Sequence, residues 1–365
     1  FMPEIFDDNS GENRAVDGDH ARPERRDFLL RSLAGVAAAG IDVPIPAGRR
    51  DYAAWQRRRR RQLWGLLGDL PWSHRPGPPK LRRIEKGPGY TLEHLELDLN
   101  GLEKVPAILL IPEKRQPKAP GMLYIHWHGG NYPTGKEELL TGRKVLPAYA
   151  PTLVEKGIVT LAIDSWCFGE RKRVEDGRQG EWDAFKRMIW QGQVLFGMML
   201  FDEYRALDYL LTRPEVDPQR IGVFGMSMGA TKAWWLAALD TRIRLCLDLC
   251  CLTDFDELIK ADNLKGHGIY YYVPRLLKHF STSQINELIV PRPRISLNGR
   301  RDSLTPVSGV EKVRDYLTQR YAQHGRREDL LIELFDGAHE ELPEMRRLNE
   351  LWLDRHLVGG PQSAG

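Results

Sequence analysis

The segment Gly225-Met226-Ser227-Met228-Gly229 holds the strongest chemical signal in this 365-residue chain. It follows the apolar run Ile221 to Phe224 and precedes ATKAWWLAALD, a stretch rich in good helix formers. The serine is therefore expected on a sharp turn between a strand and a helix. Glycine two residues to either side leaves room for the backbone to fold back on itself. Such a turn exposes the hydroxyl and aims the unsatisfied N–H groups and positive end of the helix at a reacting centre. Ser227 is thus the candidate nucleophile.

A serine hydroxyl attacks well only when a base takes its proton, and the base needs a carboxylate to orient it. Asp302 lies in Asn298-Gly299-Arg300-Arg301-Asp302, directly after the apolar run Arg294 to Leu297. His339 lies in Asp336-Gly337-Ala338-His339, after the next run, Leu330 to Phe335. Each stands in a loop where a strand ends, so Ser227, Asp302 and His339 form the candidate triad. Asp254 and Asp256, after an earlier strand, are the second candidates for the acid. Asp336 shares the turn of His339 and is read as a turn-capping group. His267, His279 and His324 lack a position after a strand; His267 is retained as a substrate contact.

A tetrahedral intermediate needs two N–H donors aimed at its oxyanion. The residue after the nucleophile, Met228, is one candidate. The loop His126-Trp127-His128-Gly129-Gly130-Asn131, leaving the run Met122 to Ile125, offers the other, with Gly130 favoured over Gly129. His126 and His128 have the spacing of two ligands on one strand face, but no third ligand accompanies them. No glycine-rich dinucleotide loop, phosphate loop or Cys-x-x-Cys pair is present, so no metal and no cofactor are expected.

Positioning these groups takes a particular set of elements. Leu95, Leu97 and Leu99 alternate with polar residues, Asn100-Gly101 reads as a tight turn, and Val105 to Ile111 returns, which predicts an antiparallel hairpin. From about residue 120, six short apolar runs (the four above, Ile158 to Ile163 and Leu245 to Leu249) alternate with helical segments such as Leu139 to Lys156 and Val194 to Leu211. That alternation predicts an α/β fold: a mostly parallel central sheet with helices on both faces, led by the hairpin. Two longer connections, near 165–193 and 252–290, leave strand ends where ligands bind in open sheets. They are read as pocket walls, with Trp166, His267 and Tyr271 as candidate substrate contacts.

Composition narrows the class further. Apolar residues make up 42%, and no run approaches the roughly eighteen apolar residues of a membrane span, so none is expected. The 53 basic and 50 acidic side chains nearly cancel, which points to no nucleic-acid partner. The run Arg57 to Arg61, flanked by Tyr52, Trp55, Leu63, Trp64, Leu66 and Leu67, reads as the polar side of an amphipathic helix. Cys246 and Cys250 lie in the apolar run LCLDLCCL and read as core. Residues 1–40 read as a polar leader. Its Arg25-Arg26-Asp27-Phe28-Leu29-Leu30 is similar to a twin-arginine export signal, with a surface helix in a cytoplasmic protein as the alternative. Residues 41–84 read as a helical extension and 85–358 as the catalytic domain. The oligomeric state is not readable from the sequence.

The segments HWHGGNYPTGKEELL, AIDSWCFGER, VDPQRIGVFGMSMGATKAWWLAALD, NGRRDSLTP and DGAHE resemble the dienelactone-hydrolase and acetyl-xylan-esterase-like branch of the α/β-hydrolases. The resemblance spans roughly residues 85 to 357. It implies a serine esterase acting on small-molecule or carbohydrate esters, short acyl groups among them. Dienelactone hydrolases proper use a cysteine nucleophile, and this chain has Ser227. A peptidase of the prolyl-oligopeptidase type is one alternative, although the residues ahead of the parallel sheet are too few for a β-propeller. A silent binding protein on the same fold is another, but no triad member is missing.

Overall fold

The structure is a computed structural model that describes residues 49–359. The polar leader and the Arg25-Arg26 segment lie outside the described residues. Nine strands form one sheet: β1 (Lys80–Gly87), β2 (Tyr90–Leu97), β3 (Val105–Pro112), β4 (Ala119–Ile125), β5 (Val159–Ile163), β6 (Val216–Met226), β7 (Leu245–Leu249), β8 (Arg294–Gly299) and β9 (Leu330–Phe335). Their order is β1-β2-β3-β5-β4-β6-β7-β8-β9. β1, β2, β3 and β5 pair antiparallel in succession, and every pairing from β5 through β4 to β9 is parallel.

The parallel strands are buried on both faces, which is why they read as unbroken apolar runs. All residues of β4, β5, β7 and β8 are buried. The longer helices are α1 (Arg49–Leu66), α2 (Gly177–Trp190), α3 (Leu195–Thr212), α4 (Met228–Leu239), α5 (Val307–Gln323) and α6 (Pro343–Leu353). α3 stops where Pro214 forces Arg213 into extended backbone, φ −71° and ψ 126°. Every residue of α4 is buried, Trp234, Trp235 and Lys232 included. α4 therefore sits at the centre of the molecule. No helix among the described residues is long and apolar enough to cross a membrane.

The structure departs from the sequence reading in three places. The stretch 41–84 contains α1, but from Lys80 it is strand, and Leu81 and Ile84 of β1 are exposed on the sheet edge. That exposure removes the apolar alternation by which strands are recognised. The tight turn is Pro88-Gly89, joining the paired residues Gly87 and Tyr90; the expected antiparallel hairpin is β2 with β3, but Asn100-Gly101 lies in the longer loop 98–104 between them. There the Asn100 side chain accepts the N–H groups of Leu102 and Glu103 and donates to Asp202. The helix expected over Leu139–Lys156 is two short pieces, 138–141 and 150–155, because Gly142 takes a left-handed φ of 62° and Pro147 follows.

The arginine run divides by function within the fold. Arg57, Arg58 and Arg61 are exposed, as an amphipathic helix requires. Arg60 donates to the carbonyls of Ala238 and Leu288, at 2.9 and 2.6 Å, so it caps orphan acceptors at the end of α4. Arg59 lies 3.7 Å over the Phe280 ring and bonds the His279 carbonyl. Cys246 and Cys250 are buried, as expected of core positions.

Candidate active site

Ser227 sits at the junction of β6 and α4 with φ 57° and ψ −117°, a backbone conformation strained for any residue with a side chain. The flanking glycines are sterically required. A Cβ at Gly225 would collide with the backbone of Gly229, and one at Gly229 with the carbonyl oxygen of Ile125 on β4. The Ser227 N–H donates to the Leu249 carbonyl at 2.9 Å, which ties the turn to the end of β7. Met228 opens α4, so its N–H has no acceptor within the helix.

Asp302 follows β8 and His339 follows β9, and the fold brings them together: His339 Nδ1 lies 2.7 Å from Asp302 Oδ2. The carboxylate is buried, and its other oxygen accepts the Leu304 N–H at 2.9 Å. A ring nitrogen this close to a carboxylate carries the proton, so Nε2 keeps its lone pair and is the basic atom. Nε2 is buried and has no hydrogen-bond partner among the described residues. Asp254 is engaged elsewhere: it caps the helix 255–260 and pairs with Lys312 at 2.8 Å. Asp336 is exposed and pairs with Arg301 at 3.2 Å.

The loop after β4 is fixed by groups that spacing alone does not mark. His126 is fully buried; its Nε2 accepts the Ser165 N–H at 3.1 Å, so Nδ1 carries the proton and donates to the Trp127 carbonyl at 2.9 Å. Burial, reinforced by the nearby Lys232 charge, holds this imidazole well below its usual range. Glu138 accepts the Trp127 N–H at 2.9 Å, and the Trp127 ring lies 5.5 Å from that of His339. The N–H of Gly130 is already committed, to His128 Nδ1 at 3.0 Å. The N–H groups of His128 and Gly129 have no protein acceptor among the described residues, which leaves Gly129 the freer of the two glycine donors.

His267 and Tyr271 come to the acid loop together. Their rings stack at 4.7 Å, and His267 Nε2 is 3.0 Å from the carbonyl of Leu304, two residues past Asp302. Burial lowers the His267 imidazole, and Asp302 partly offsets this. The Tyr271 hydroxyl is buried beside Thr253 and Thr231. Trp166 is buried under the Arg171 guanidinium, 4.5 Å away, where it lines a small cavity of about 30 Å³ with Glu103 and Val174. The one cluster of metal-ligating types among the described residues is Cys250, Asp302 and His339, with ligand atoms within 4.8 Å of one another. Burial pushes the Cys250 thiol up, so it stays protonated and donates to the Glu340 carbonyl.

The Abhydrolase family model matches residues 42–315, most of the chain. The chain belongs to the Abhydrolase family. A provisionally assigned hydrolase of Bacillus subtilis strain 168, YtaP, is 45% identical to this Abhydrolase chain over 301 residues, 81% of this chain and 99% of its own. Solved structures share the fold at low identity. A Bacteroides fragilis protein provisionally assigned as an acetyl xylan esterase is 21% identical with a TM-score of 0.64, covering 86% of this chain and 84% of its own. A glucuronoyl esterase from Solibacter usitatus is 14% identical with a TM-score of 0.61, covering 83% and 93%.

This Abhydrolase chain also carries a buried ionic network behind the Ser227 turn. Lys232 on α4, wholly buried, donates to Ser165 Oγ and to Glu203 Oε1, the latter at 3.0 Å. Arg171 bridges Asp202 and Glu103 beside it. Burial lowers the Lys232 ammonium and raises the Glu203 carboxyl, while their mutual attraction opposes both shifts. The available sequence signal was a charge inside an apolar stretch: Lys232 within ATKAWWLAAL, and Asp202-Glu203 within LFGMMLFDEYRALDYLL.

Proposed function

We propose that this chain is a carboxylic ester hydrolase that works through an acyl-enzyme on Ser227. The reading rests chiefly on the His339–Asp302 hydrogen bond of 2.7 Å, which leaves Nε2 buried, unpartnered and basic. His339 Nε2 takes the Ser227 proton as the hydroxyl oxygen attacks the ester carbonyl. The N–H of Met228 and the free N–H of Gly129 hold the oxyanion. His339 then returns the proton to the leaving alcohol, and water repeats the sequence on the acyl-enzyme. Asp302 holds the ring and balances the imidazolium charge throughout.

The fold neighbours support a substrate class. A provisionally assigned acetyl xylan esterase and a glucuronoyl esterase share this fold, which supports carbohydrate esters, acetyl esters first among them. His267 and Tyr271, held against the acid loop, are the groups best placed to meet the bound ester. The test is Ser227→Ala assayed on p-nitrophenyl acetate and on an acetylated xylo-oligosaccharide. A loss of about 10⁴-fold or more in kcat is expected on both. Full activity in the variant would show that Ser227 is not the nucleophile.

A further inference from the structure

We propose that Glu181 and His128 act as a positioning pair for the oxyanion loop, locking Gly130 and thereby aiming the neighbouring free N–H groups; this rests on the acyl-enzyme reading above. Glu181 belongs to α2, in the first long connection, and is 1% exposed. Its Oε2 lies 3.2 Å from His128 Nε2 and accepts the Tyr132 hydroxyl at 3.0 Å.

The tautomer follows from the partners. The Gly130 N–H is only a donor, so His128 Nδ1, 3.0 Å away, accepts and carries no proton. Nε2 must then carry the proton and donate to Glu181. One chain of hydrogen bonds therefore runs from a buried carboxylate, through an imidazole, to a backbone N–H of the loop. Aromatic rings hold the imidazole in place: Tyr270 stacks on it at 5.5 Å, and the Phe168 ring meets it edge-on at 5.0 Å. Phe168 comes from the first long connection and Tyr270 from the second. A side chain at Gly268 would come within 3.3 Å of Nε2.

Gly129 and Gly130 have φ of 51° and 68°, a left-handed pair that glycine adopts at low cost but does not enforce. The His128–Gly130 bond supplies the missing constraint. Without Glu181, the Nε2–H loses its carboxylate acceptor and keeps only the Tyr132 hydroxyl, 3.4 Å away, so the ring is freer to move its proton to Nδ1. Two donors, Nδ1–H and the Gly130 N–H, then face each other and the turn opens. Glu181 Oε1 is buried with no partner among the described residues, a cost that accompanies a carboxyl acceptor at this place.

Donors aimed at the oxyanion act on the transition state and not on the bound ester. Glu181→Ala, and Glu181→Leu, which fills the same space, are expected to lower kcat about 10- to 100-fold with KM within about twofold. Inhibition by phenylboronic acid, whose serine adduct is tetrahedral, is expected to weaken by a similar factor. Glu181→Gln is expected to recover most of the loss, because its amide oxygen accepts the Nε2–H. A folded Glu181→Leu with a lowered melting temperature but wild-type kcat and boronate affinity would overturn the proposal, provided Ser227→Ala is inactive. If Ser227→Ala keeps full turnover, it is the acyl-enzyme reading that fails.

Discussion

His339 Nδ1 lies 2.7 Å from Asp302 Oδ2 across 37 residues of chain, because β8 and β9 are parallel neighbours and release both residues at the same sheet edge. Asp254 leaves β7 on the same side but is tied to its own helix and to Lys312. Asp302→Asn is expected to lower kcat on p-nitrophenyl acetate about 10³- to 10⁴-fold by disturbing the His339 tautomer. Asp254→Ala is expected to keep kcat within about threefold while losing about 1 kcal/mol of stability with its helix cap. The reverse ranking of the two variants would move the acid to Asp254.

Ser227 occupies φ 57°, where only glycine is unstrained. Ser227→Gly is expected to abolish turnover and yet stabilise the fold by about 1–3 kcal/mol, the usual scale of such strain. In a domain of this size that is a rise of several degrees in melting temperature. A variant that melts at or below the wild-type temperature would mean that the turn stores no strain.

His126 stays neutral in the folded chain because its pKa is depressed well below 6.5, first by burial and then by Lys232. As pH falls below about 6.5, the unfolded chain takes up a proton on this ring that the folded chain does not. Its stabilising contribution is therefore whole above that pH and is lost progressively below it, at up to about 1.4 kcal/mol per pH unit. Urea unfolding between pH 7.5 and 5 is expected to show a shallower decline for His126→Asn than for wild type, by about one proton. Equal slopes would place the titration elsewhere.

The elbow was legible because its requirements are local. Strand, small residue, serine, small residue and helix follow one another within a dozen positions, and the glycines are needed against Gly229 and Ile125 themselves. The parallel strands were legible for a similar reason, since burial on both faces demands unbroken apolar runs. β1 was not: as an edge strand it exposes Leu81 and Ile84 and carries charge, which erases the alternation. Asn100-Gly101 does lie in the hairpin that joins β2 to β3, but in a longer loop than a tight turn, where the Asn100 side chain binds the N–H groups of Leu102 and Glu103 and reaches Asp202.

By itself the sequence determined the strand-to-helix turn at Ser227, the order in which acid and base candidates follow it, and the alternation that yields a mostly parallel sheet. Each of these depends on neighbours within one or two elements. Only the tertiary structure decided which carboxylate meets His339, that Glu181 meets His128, and that Lys232, Glu203 and Glu181 are buried. Those facts turn on which strand ends and helix faces meet in space, and hydrogen bonds between residues tens of positions apart leave no periodic trace in the chain.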